Sequence, residues 1–440
     1  VMAVKPQAWM WSAGYALFVL ACVATAAYTV RRQNDTTTAT PALEDAPHPG
    51  WRECLLWVGL AATASVLLLS ITRHLTQDVA PVPFLWVLPL ALYLLSFLAS
   101  ESSEMSMGHF RELAVGLVLF VLTLLIGREL NLPMMYRLVT LSVGVTCAMA
   151  MFSAKYQDEG RASGLLEDPN VFAMLIAIAV PMALWLVFSS PNRLQRLFWL
   201  ACVVLLLAGM TKTNSRSGLV VLAISLVIGL VHYREKLTHL RPRHLGFAML
   251  GLAIVLPVAV AVMPASYIER IQSLALLKSG VNAYKDDSLG RRASYIVVGS
   301  KMIREHPVLG TGPGTFPLHY ATTGYAKAFS ANRKVGDLYR RAHNTYLEIF
   351  SEVGIPAGLL FVGMLVQGFY NLIRARREWL QRREWQHADL MTHLGMSFLS
   401  LTLFLMFLSA PNLKYLWIML ALTWVLRLKA EQAPLTEVRA

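Results

Sequence analysis

Three basic stretches and one histidine carry the chemistry this sequence offers. Arg216 stands in TKTNSRSG, a turn of a few residues between two apolar runs, with Ser215 and Ser217 beside it. At the start of the following helix its guanidinium would share space with free backbone N–H groups, an arrangement that holds phosphate or diphosphate oxygens. An anchor at lipid head groups is the other reading of the same residue. In DDSLGRRASY the adjacent Arg291 and Arg292 follow Gly290, and paired guanidiniums suit bidentate anion binding. Asp286 and Asp287 before them read as helix N-caps rather than metal ligands, because no further spaced carboxylates or histidines accompany them. His343, in RRAHNTYLEIFSEVGIPAG, has the near-neutral basicity that removing a hydroxyl proton requires; a capping or packing histidine is its alternative. Glu348 and Glu352 fall about 140° and about 180° round a helix from it, so they are expected to pair with basic groups and brace the helix.

These residues must be positioned by membrane helices. Apolar runs near 9–30, 53–72, 82–99, 113–127, 134–153 and 171–188, then 197–211, 217–232, 245–263, 355–373, 392–409 and 413–427, are long enough to span, which gives about twelve. The Lys and Arg bias of the short loops puts Arg193, Arg196, Arg234, Lys236, Arg241 and Arg243 inside, together with the cluster Arg374 to Arg383. An even count then places both termini in the cytoplasm. Loops 31–52 and 100–112 read as solvated connectors without evident chemistry. On the opposite, outer side fall Lys155, Arg161, Asp168 and Asn170, then Lys212, Asn214 and Arg216, then Arg291, Arg292 and His343. Between Pro264 and Ala342 no run is long enough to span, and twelve Lys or Arg outnumber five Asp or Glu. A basic outer lobe of this kind suits an anionic substrate, or else anionic head groups.

Composition excludes most other classes. Of 440 residues 56% are hydrophobic and only 15% charged, and the mean hydropathy is +0.52, so the chain is an integral membrane protein and not a soluble enzyme or a disordered scaffold. The excess of 39 Lys and Arg over 26 Asp and Glu reflects loop bias and contact with membrane lipids, not nucleic acid. Cys22, Cys54, Cys147 and Cys202 all sit in apolar runs, with neither a disulfide framework nor a CxxC site. Neither a metal nor a cofactor is expected. The first apolar run has no small-residue cleavage site and reads as a retained helix.

From about Met105 onward, the order GRASGLLEDPNVFA, TNSRSG, DDSLGRRASY, HPVLGTGPGTF and RAHNTYLEIFSEVG resembles the O-antigen ligase and Wzy polymerase superfamily. The resemblance covers roughly three quarters of the chain. It implies an all-α, polytopic membrane helix bundle of the GT-C type with one large periplasmic loop domain. It also implies a metal-independent glycosyltransferase of the bacterial inner membrane that takes its glycan from undecaprenyl pyrophosphate on the periplasmic side. By motif position Arg216 and Arg291 are the essential arginines and His343 the base. Arg161, Asn170, Lys212, Arg292, Arg341, Asn344 and Tyr346 are expected around them as substrate-binding residues. Lipid A core is the expected acceptor. An O-antigen polymerase, a protein O-oligosaccharyltransferase and a transporter of lipid-linked glycan are the alternatives. The expected divisions are a three-helix membrane segment over 1–103, central membrane helices over 104–263, the periplasmic loop domain over 264–343 and C-terminal membrane helices over 344–440. Within the first, LTQDVAPVPFLWVLPLALYLLSF looks more like the membrane segment fused to spermidine-synthase-like proteins.

Overall fold

A computed structural model describes residues 84–158, 160–166, 168–233, 287–330, 338–410 and 413–433. The chain divides into two units, Val1–Ile71 and Thr72–Ala440, and every described residue belongs to the second. The expected spans near 9–30, 53–72 and 245–263, the cysteines Cys22 and Cys54, and the side chains of Asp286 and Asp287 lie outside the described residues.

The described chain is an all-α membrane bundle. Its helices are α1 (Phe84–Leu98), α2 (Ser103–Ile126), α3 (Leu132–Phe152), α4 (Pro169–Ser189), α5 (Arg193–Lys212), α6 (Arg216–His232), α7 (Asp287–Glu305), α8 (Phe316–Ala321), α9 (Gly324–Phe329), α10 (Thr345–Glu352), α11 (Ile355–Gln381), α12 (Trp385–Phe404) and α13 (Lys414–Gln432). Among them α2 with its short 3-10 extension, α3, α4, α5 and α11 are long and apolar enough to cross a membrane. The expected span at 217–232 corresponds to α6, apolar but shorter. Those at 392–409 and 413–427 correspond to α12 and α13, whose residues are mostly buried against neighbouring helices. The one sheet among the described residues is a minimal hairpin, β1 (Gln157–Asp158) against β2 (Arg161–Ala162).

Helix α4 is the axis of the bundle. Its sequence PNVFAMLIAIAVPMALWLVFS is apolar on every side, so it suits a helix surrounded by other helices, and 78% of its apolar window is buried. It packs against α3, α5, α6 and α12. Without a hydrophobic driving force between helices in lipid, small residues and a few polar contacts hold such a bundle. Gly209 of α5 lies so close to Cys147 of α3 that a Cβ there would stand 2.4 Å from the sulfur. Ser397 of α12 donates to the Ile178 carbonyl of α4 at 2.8 Å, and Tyr136 of α3 to the Leu390 carbonyl at 2.9 Å.

Because α4, α5 and α6 alternate in direction through short turns, one end of the bundle gathers the start of α4, the end of α5 and the start of α6. The return of α12 brings its own C-terminus there too, where Leu405 accepts the Thr345 N–H at 2.8 Å. A small lobe covers this end, with its own core of Tyr295, Val298, Met302, Phe316, Tyr320 and Ala342. Residues 100–112, expected to be a plain connector, are different: from Ser103 they form the first turns of α2 and bind the lobe. Ser106 Oγ donates to the Pro313 carbonyl at 2.8 Å. Ser106 is fully buried in that contact, within the polar first turns of α2.

Candidate functional site

The TNSRSG turn is built as a clasp. Helix α5 ends at Lys212, Asn214 takes a left-handed φ of 55°, and Ser215 caps α6 by accepting the Gly218 N–H at 3.2 Å. That makes Arg216 the first residue of α6, the helix-start position the sequence suggested. The clasp closes on α4. Asp168 caps α4 by accepting the Asn170 N–H at 2.7 Å. Asn170 Oδ1 in turn accepts the Ser215 hydroxyl at 3.0 Å and Arg161 Nη2 at 3.5 Å. Arg161 also donates Nε to the Thr213 carbonyl at 2.9 Å, so its guanidinium locks the turn from the hairpin side.

His343 lies just ahead of α10, whose N-cap is Asn344; the Asn344 side chain accepts the Leu347 N–H at 3.1 Å. The φ of His343 is 49°, an uncommon conformation for a residue with a Cβ. Neighbours hold it there. Its N–H donates to Ser409 Oγ at 2.6 Å, and Thr345 Oγ1 donates to the Leu408 carbonyl at 2.6 Å. On the other side the buried Glu348 accepts the Ala342 N–H at 3.1 Å and meets Arg341 Nε at 3.4 Å. The pairing with Arg341 is the kind the sequence suggested, while the bond to the Ala342 N–H braces the segment before the helix. Glu352 braces a different element: it accepts the N–H groups of Gly314 at 2.8 Å and Phe316 at 3.0 Å, docking the GTGPGTFP turn. Gly314 has φ 80°, and a Cβ there would stand 2.3 Å from His109 Nδ1. His109 of α2 meets the Met105 carbonyl at Nδ1 (3.2 Å) and Arg341 Nη2 at Nε2 (3.1 Å). A carbonyl only accepts and a guanidinium only donates, so its proton sits on Nδ1.

The electrostatics of His343 show which charges converge on it. Burial lowers its pKa to about 4, with the Arg292, Arg340 and Arg341 guanidiniums pushing the same way and Asp168 opposing. Asp168 is the cap of α4, so the imidazole faces the same corner as the Asn170 clasp. The Tyr295 ring lies 6.0 Å from the imidazole, and Arg291, Arg292 and Arg340 all act on that phenol. Arg292 also lies 5.8 Å over the Phe407 ring beyond α12. Arg161, Asn170, Lys212, Arg216, Arg291, Arg292, Arg341, His343, Asn344 and Tyr346 are all half-buried, the exposure expected of groups that line a cleft. Tyr346 directs its hydroxyl to the Thr402 carbonyl at 2.9 Å and packs its ring on Phe361. Sequence reasoning passed over His109, Arg340, Glu348 as a backbone brace, and Ser409; of these only Arg340 carried a signal, by adjacency to Arg341. Among the described residues no three His, Cys, Asp or Glu side chains are grouped to hold a metal ion.

Such a corner can bind a polyanion between guanidiniums while a neutral imidazole accepts a proton beside it. Residues 201–362 match the family model of O-antigen ligase, Wzy_C. The matched stretch runs from α5 through α6, the lobe and α10 into α11, and so contains Lys212, Arg216, Arg291, Arg292, Arg341, His343, Asn344 and Tyr346, but not Arg161 or Asn170. The match covers a little over a third of the chain and marks that part as similar to the O-antigen ligase family. A search of curated proteins finds no match to the chain.

Proposed function

We propose that the protein is an O-antigen ligase that transfers a glycan from undecaprenyl pyrophosphate to a sugar hydroxyl of the lipid A core. The observation that supports this most directly is the convergence of Arg292, Arg340, Arg341 and Asp168 on His343. In this reading the diphosphate lies between the α7 arginines and Arg216 at the start of α6, where helix N–H groups add to the binding. His343, neutral at physiological pH, removes the acceptor proton. The acceptor oxygen forms a bond to C1 of the reducing-end sugar as the bond from C1 to the phosphate oxygen breaks. The electron pair leaves with the diphosphate, whose charge the guanidiniums hold, and the configuration at C1 inverts. A bound diphosphate also offsets the arginine charge that depresses the His343 pKa, so substrate strengthens the base when it is needed.

The side follows from charge. The end of the bundle opposite the site carries Arg193, Arg196, Arg374, Arg376, Arg377, Arg382 and Arg383, which favours the cytoplasm for that end and the periplasm of an inner-membrane protein for the site. Both termini would then be cytoplasmic and the bundle of the GT-C type.

The test is a coupled assay. Purified protein in EDTA, with undecaprenyl-pyrophosphate glycan and separate acceptors, should form product with lipid A core alone; His343→Ala should remove it and Arg216→Ala should slow it by about two decades. Product on a second lipid-linked glycan or on a Ser or Thr peptide would make it a polymerase or a protein transferase instead. Uptake of lipid-linked glycan without product would make it a transporter.

A further inference from the structure

At the arginine-rich end, far from His343, the helices α6, α11 and α12 border a half-open groove of about 330 Å³. Its walls are apolar, with Ile228 from α6, Phe369 and Ile373 from α11, and Leu399 from α12. Its polar groups all lie at one end. Arg376, Thr392 and His232 stand there together: Arg376 Nε donates to Thr392 Oγ1 at 3.0 Å, and His232 Nε2 lies 3.5 Å from the same hydroxyl. From Arg376 to Phe369, and from Thr392 to Leu399, the groove runs about 10 Å along each helix toward the bundle centre. The gradient is that of an amphiphile, with its head at the basic end and its chain directed into the membrane.

Two features make the site receptive to an anion with a chain. Arg376 has no ion pair with a carboxylate among the described residues, although Arg374 and Arg382 beside it both pair with Glu378. Asp389, one turn away on α12, is bonded to Tyr233 Oη at 3.5 Å. The groove also has an open floor. Gly229 is pressed against Met396, where a Cβ would stand 2.4 Å from the methyl carbon, whereas a Cβ on Gly395 would meet nothing within 4 Å. The helices thus touch at one level and part at the next, leaving room for an acyl chain.

We propose that this groove binds one phospholipid with an anionic head group, its phosphate on Arg376 and an acyl chain along Ile373, Phe369 and Leu399. Basic pockets between membrane helices on the cytoplasmic side recognise anionic head groups in this way. The site is separate from the transfer chemistry, so either can fail without the other.

Native mass spectrometry of the full chain in detergent tests it, with dioleoylphosphatidylglycerol, dioleoylphosphatidylcholine and inorganic phosphate as the three probes. Phosphatidylglycerol should bind at least roughly tenfold more tightly than phosphatidylcholine, with phosphate alone not retained. Arg376→Gln should erase the preference, Gly395→Leu should block both lipids by filling the floor, and the exposed Arg377→Gln should behave as wild type. Equal binding of the two lipids by the wild-type chain, or retention of phosphate alone, overturns the proposal whatever the variants do. So does a folded Gly395→Leu protein that keeps wild-type phosphatidylglycerol occupancy.

Discussion

Asn170 Oδ1 accepts the Ser215 hydroxyl at 3.0 Å and so joins the first turn of α4 to the cap of α6 across 45 residues of chain. Removing the amide takes one acceptor from a buried hydroxyl and one from a guanidinium. Asn170→Ala should therefore cost about 1 to 3 kcal/mol in thermal unfolding. Because both changes break one link, Asn170→Ala and Ser215→Ala should couple by roughly 0.5 kcal/mol or more in a double-mutant cycle. Strict additivity would show that the clasp holds nothing.

Arg216 opens α6 with its charge held near the turn. If it carries developing negative charge on the diphosphate, Arg216→Ala should lower kcat by about two decades with little change in melting temperature, since one such donor is worth on the order of 3 kcal/mol. Arg216→Lys should recover only part, because an ammonium cannot reproduce the planar fork. A loss confined to KM would place Arg216 in ground-state binding instead.

The pH profile should report His343. A base must be deprotonated, and burial with Arg292 lowers its pKa to about 4. The acid limb of kcat/KM should thus fall near pH 4, below the usual histidine range. Arg292→Gln removes the largest opposing charge, so it should move that limb upward. A limb at the ordinary histidine value in the wild-type protein, unmoved by Arg292→Gln, would separate His343 from the rate.

Glu352 makes an opposite prediction for stability. Burial and the neighbouring Glu348 raise its pKa to about 8, with the two backbone donors and Arg341 pulling back. The folded state then binds a proton that the unfolded chain has released, so its contribution is full below the usual carboxylate range and lost as pH rises through about 8. His343, shifted down, works in reverse: its contribution is present above the usual histidine pKa and lost as pH falls through about 4. Melting temperatures across this range, for wild type and Glu352→Gln, separate the two, because only the decline toward alkaline pH should flatten in the variant.

The class of fold was legible because apolar length is the strongest signal a membrane chain carries, and α4 needed nothing more. The start of α6 at Arg216 and the start of a helix just after His343 were legible from the turn and the apolar run that follow them, whereas the caps Asp168, Ser215 and Asn344 were not read. The arginines and His343 could be sorted to one end of the bundle by counting alternating spans. What could not be read is anything set by helices crossing at a distance. His109 is an unremarkable residue on an apolar helix until the fold brings it to Arg341, 232 residues away. Ser409 looks like a span-end serine until it accepts the His343 N–H, 66 residues away. Residues 100–112 read as a connector because Glu101, Glu104 and Glu112 make them polar, while Ser106 and His109 among them make the contacts with the lobe and Arg341.

The imidazole's carrier is moored to Leu405, Leu408 and Ser409, which lie beyond the stretch of family likeness that ends at residue 362. A chimaera that exchanged only residues 201–362 between relatives would transplant His343 without its mooring. Junctions for such swaps belong past Ala410, whose own N–H closes the same knot on Thr345 at 3.0 Å.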